Sequence, residues 1–76
     1  MSETDWQAIY GPPATGAPYA AGATLIYDDT GSVENGEILY VAALDEHGQP
    51  DLHYIVLPAA TGFPRPVWPP QIIAVM

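Results

Sequence analysis

The chain has no cysteine and no lysine, and Arg65 is its only basic residue apart from two histidines. Without cysteine, neither a disulfide framework nor a thiolate metal site can staple so small a fold. Nucleic acids and anionic membranes are bound by setting Lys and Arg against phosphate, so direct binding to either is excluded as an expectation. No apolar run approaches the ~20 residues of a membrane span. The opening MSETDWQAIY has neither the basic start nor the apolar stretch of a signal peptide, which makes the cytoplasm the expected location.

What is abundant is acid and apolar side chain. Nine carboxylates (Glu3, Asp5, Asp28, Asp29, Glu34, Glu37, Asp45, Glu46 and Asp51) leave a formal net charge of −8. Such a surface suits a basic protein partner, and it also keeps an apolar chain in solution. With 49% hydrophobic residues among 76, the composition is that of a folded chain with one small core. A marginal core of this kind gains from association between copies, so a homo-oligomer is expected.

Along the chain, SETDWQAIYG carries helix punctuation. Ser2 is placed as N-cap, Glu3 and Asp5 sit in the first turn, and Gly11 and Pro12 follow the end. Trp6, Ile9 and Tyr10 share one face at i, i+3 and i+4. The next stretch, GPPATGAPYAAGA, has no periodicity and reads as an irregular linker, so residues 1–21 form an arm and residues 22–76 the folded domain. If the linker breaks contact with the strands, that domain folds without the arm.

Strands are expected at 23–27, 37–44 and 52–57, with DTGSVENG a polar loop and DEHGQP a hairpin turn. The closing TGFPRPVWPPQIIAVM holds four prolines. Proline lacks the ladder N–H and is confined to edges, strand starts and turns. Apolar strand-like residues nevertheless flank Pro69 and Pro70, so the run reads as a short strand, one 3₁₀ turn over Pro69 to Gln71, and a final strand through IIAV.

This order, and VWPPQIIAV in particular, resembles the SH3-like small barrels over about the last 55 residues. The implied fold is mainly β: a five-stranded barrel with a 3₁₀ turn before the last strand and an N-terminal arm holding one short helix. An irregular arm before such a barrel is similar to the layout of type II dihydrofolate reductases. Those use a lysine and a Val-Gln-Ile-Tyr motif; here there is no lysine and PVWPPQII stands where the motif would be, so the activity is not implied. SH3-like barrels commonly bind peptides between the long first loop, the hairpin tip and the 3₁₀ turn. On this sequence those elements offer Tyr27, Asp28, Asp29, Glu46, Trp68 and Pro70, an acidic rim beside aromatic rings suited to a basic or proline-rich segment.

The segment LDEHGQPDLH gathers the other titratable groups. Pairing about Gln49 would set Asp45 opposite His53 and His47 opposite Asp51 on one face, as two solvated His–carboxylate pairs rather than a metal site. No hydroxyl has a base beside it in sequence, and TGSVENGE lacks the lysine of a phosphate loop. The expected function is therefore non-enzymatic, without metal or cofactor: a module binding a protein partner through that acidic-aromatic face, with Trp6 and Tyr10 as further contacts. The alternatives are an acidic DNA mimic that blocks a nucleic-acid-binding protein and a self-assembling structural subunit.

Overall fold

The computed structural model describes residues 3–76, so the expected cap Ser2 lies outside the described residues. The elements run α1 (Glu3–Tyr10), β1 (Thr24–Asp29), β2 (Ser32–Leu44), β3 (Pro50–Pro58), β4 (Arg65–Val67), a 3₁₀ turn (Pro69–Gln71) and β5 (Ile72–Val75). The strands form a single antiparallel sheet in the order β4-β3-β2-β1-β5. A mainly β protein with one short helix and a 3₁₀ turn before the last strand is what the sequence led us to expect. No helix among the described residues is long and apolar enough to cross a membrane.

The expected polar loop DTGSVENG is not a loop. Asp29 pairs with Ser32, which leaves a two-residue turn at Thr30 and Gly31 with φ of 50° and 94°. Positive φ at both central positions gives the twist that suits a tight hairpin. Asp28 Oδ1 accepts from the Gly31 N–H at 2.9 Å and secures the turn. β2 therefore begins at Ser32 rather than at Glu37, and the first strand extends to Asp29.

Such a long strand serves two neighbours. Its first half, to Glu37, pairs with β1, and from Gly36 onward it pairs with β3. At the changeover Gly36 is buried so tightly that a Cβ there would stand 2.6 Å from both the Leu57 carbonyl oxygen and Val56 Cγ1. Register shifts between Ile38 and Tyr40 and between Ala42 and Leu44 interrupt the β2–β3 ladder. They divide the core: Leu25, Tyr27, Ile38, Tyr54, Val56 and Val67 form one cluster, while Tyr40, Ala42 and Ile55 form another.

Trp6 and Tyr10 of α1 cover the second cluster, with Tyr10 stacked on Tyr40 at 6.5 Å and Trp6 on Tyr10 at 5.9 Å. Ile9 departs from the expected common face and stays 59% exposed. Gly11, with φ of 82°, ends the helix as expected, its N–H donating to the Gln7 carbonyl at 2.8 Å.

The Gly/Pro/Ala segment that follows is irregular, yet it does not break contact with the strands. Ala43 N–H donates to the Pro12 carbonyl, Ala14 N–H to Val41, Gly22 N–H to Ile38 and Ile38 N–H to Ala23. Tyr40 Oη donates to the Gly11 carbonyl at 2.7 Å, and Tyr19 packs on Tyr54 at 5.9 Å. The arm thus satisfies the flank of β2 beyond the end of β1. Backbone bonding of this kind needs no side-chain periodicity.

Candidate functional site

The six residues expected to form one face are not all gathered. Tyr27 is fully buried in the core, where burial raises its phenol pKa above the ordinary value against the pull of Arg65, and it presents no ring to a partner. Asp28 spends its carboxylate on the Thr30–Gly31 turn, and its carbonyl accepts from Gln71 Nε2 at 3.1 Å. Asp29 holds Arg65 through Nη1 at 2.6 Å. Pro70 is exposed on the 3₁₀ turn but does not reach the groove described next, whereas Glu46 and Trp68 line it.

That groove is open to solvent and has a volume of about 660 Å³. It is lined by the end of α1 with Ile9 and Tyr10, by the hairpin tip and by Trp68. Its buried base is His53 and Ile55. The rim carries the carboxylates of Asp45, Glu46 and Asp51. α1 has no basic residue in its last turn, so its C-terminal carbonyls add negative partial charge to the same opening.

Trp68 is fixed at three points and still 38% exposed. Its main-chain N–H donates to Gln71 Oε1 at 2.9 Å, and its indole Nε1–H donates to Asp51 Oδ2 at 2.9 Å. The indole also stacks on His53, with centroids 5.5 Å apart and planes 28° from parallel. His53 Nδ1 lies 2.8 Å from the Asp51 carbonyl oxygen. A carbonyl can only accept, so Nδ1 carries the hydrogen. A large ring held this rigidly beside open space loses little side-chain entropy when a ligand covers it.

The hairpin register differs from pairing about Gln49. His53 lies opposite Ala42 and Leu44 opposite Pro50, and the Asp45 N–H donates to the Gln49 carbonyl at 2.9 Å, so the turn is centred near His47 rather than at Gln49. Asp45 therefore does not face His53, and His47 does not face Asp51. Asp51 instead serves His53 and Trp68, its Oδ2 lying 3.9 Å from His53 Nδ1, while the exposed His47 lies 3.5 Å from Glu46. The imidazoles diverge, one into the groove base and one into solvent.

Asp45 has become the brace of the tip. Its Oδ1 accepts from the main-chain N–H of His47 at 2.8 Å and of Gln49 at 2.9 Å. The Gln49 bond, aided by that of His47, holds its carboxyl below the usual aspartate pKa. A depressed folded pKa contributes stability that is complete above the unfolded value and disappears as pH falls through the folded one. The melting temperature of the native protein is thus expected to fall as pH drops below about 4, and that of Asp45→Ala to fall less over the same range. Melting curves from pH 7 to pH 2 check this, and parallel curves would show that Asp45 does not brace the tip.

Two features could have pointed to the groove from sequence alone: the acid pair Asp45–Glu46 at a hairpin tip, and tryptophan immediately before a Pro-Pro turn. Tyr10, expected as a further partner contact, lines the groove as well, whereas the contributions of Ile9 and His53 carry no such signal. In comparisons with protein families, with curated proteins and with solved structures, nothing matched this chain.

Proposed function

We propose that this protein is a non-enzymatic interaction module that takes a basic, extended protein segment into the groove beside Trp68. The observation that carries the reading is a pre-positioned, part-exposed indole rimmed by Asp45, Glu46 and Asp51, in a chain whose one arginine is already engaged by Asp29. A lysine or arginine side chain entering there gains cation–π contact and nearby carboxylates together, and an intervening proline keeps the segment extended at low entropic cost. The sheet order and the 3₁₀ turn before β5 support reading the scaffold as SH3-like. The long first loop of that class is here a two-residue turn, so the surface draws on the end of α1 instead.

The test is titration with a synthetic peptide of arginine, lysine and proline, followed by amide and indole NMR shifts. Shifts at Trp68, His53 and Glu46 are expected, with affinity at least about tenfold weaker for Trp68→Ala, as for a hot-spot tryptophan. A peptide in which citrulline and norleucine replace the cations is expected not to bind. Shifts confined to residues outside the groove, or equal affinity for Trp68→Ala, would exclude the reading.

A further inference from the structure

Independently of the groove, we infer that β5 is a self-association edge, along which two copies pair antiparallel to join their sheets. β5 closes one side of the sheet order, with β1 on its inner flank and no strand of the described residues paired on its outer flank. Met76 N–H donates to the Thr24 carbonyl at 2.9 Å, so by alternation the N–H and C=O of Val75 point to the open side. Ile73 has no opposite residue on β1, because the β1–β5 register shifts between Ile26 and Tyr27. Ile73, Val75 and Met76 are 57%, 37% and 79% exposed. Edges are normally guarded by charge, proline or cover; β5, Ile-Ile-Ala-Val, carries neither charge nor proline.

Charge argues that the occupant is a second copy. Two copies, each carrying a net charge of −8, repel wherever their carboxylates meet. Every other strand bears a charged residue: Asp28 and Asp29 on β1, Glu34 and Glu37 on β2, Asp51 on β3 and Arg65 on β4. β5 bears none, so it is the strand along which like copies approach without burying a carboxylate. The pairing is self-complementary about a two-fold near Ala74, as a closed dimer requires. Growth stops there, because the remaining free edge is β4, only three residues long with Pro66 and Arg65.

The exposed apolar area of one short strand makes this a transient dimer, below the size of a permanent interface. Its salt dependence is the reverse of the groove's. Screening shortens from about 30 Å at 0.01 M salt to about 10 Å at 0.1 M, so added salt strengthens the dimer, whereas it weakens docking of a basic peptide.

Sedimentation velocity on the full chain, over a concentration series at low and moderate salt, tests the inference. A monomer–dimer equilibrium that tightens with salt is expected. Ile73→Lys and Ile73→Glu are each expected to weaken it at least about tenfold, or 1.4 kcal/mol, while Phe63→Glu, on an exposed loop, leaves it unchanged. Hydrogen exchange on the unmodified protein gives a second readout, with protection of the Val75 amide rising with concentration. A strict monomer, a dimer indifferent to both Ile73 changes, or one that loosens with salt would overturn it, and none of these results bears on peptide binding in the groove.

Discussion

Replacing Gly36 with alanine is expected to destabilise the protein by about 1–3 kcal/mol, the range for forcing a methyl group into a filled interior. The added Cβ would lie 2.6 Å from the Leu57 carbonyl oxygen and from Val56 Cγ1. Val56 is fully buried between strands, and Leu57 meets the methyl with main chain, so neither can yield by a simple rotamer change. β2 and β3 must separate where β2 passes from one neighbour to the other. For a domain of this size each kcal/mol lowers the melting temperature by about 4–8 °C. Thermal denaturation followed by circular dichroism measures it; a change of under about 2 °C would show that the sheet opens freely at this point.

Deleting residues 1–21 is expected to cost more and to abolish cooperative unfolding near room temperature. The deletion strips the protein partners from Ala43 N–H, the Val41 carbonyl and Tyr40 Oη. It also uncovers Tyr40, Ala42 and Ile55, which α1 shields with Trp6 and Tyr10, and removes Tyr19 from Tyr54. Exposing a fully buried large side chain forfeits about 1.5–3 kcal/mol. A few such losses approach the roughly 5–15 kcal/mol that holds an ordinary domain together. A sharp melting transition in the truncated chain, within a few degrees of the full-length one, would show that the arm is dispensable.

The arm marks where reading by pattern stops. Its Gly, Pro and Ala side chains have no period, so it resembled a linker, yet its backbone completes the flank of β2. The Thr30–Gly31 turn was hidden for a related reason: Ser32 to Glu37 is too polar to signal a strand, and pairing with β1 supplies what propensity does not. Tyr27, expected on the binding face, is core, packed with Leu25, Ile38, Tyr54, Val56 and Val67 from four strands. In the groove, Glu46 and Trp68 were legible as an acid at a hairpin tip and an aromatic before a proline turn. Ile9 and His53 were not, since they reach it from elements far apart in the chain.

By itself the sequence determined what depends on neighbours along the chain. Gly11 and Pro12 end a helix, Pro69 and Pro70 enforce a 3₁₀ turn between two apolar runs, the strand-forming runs make the protein mainly β, and one arginine against nine acids sets the sign of its surface. Tertiary structure alone decided the register of the hairpin, the burial of Tyr27, the docking of the arm and the meeting of α1, the hairpin tip and Trp68 around one groove. Local signals act over a turn or two of chain, through backbone conformation and capping. Register shifts and long-range backbone bonds are chosen by which packing leaves the fewest buried groups unsatisfied, and that choice depends on the whole molecule at once.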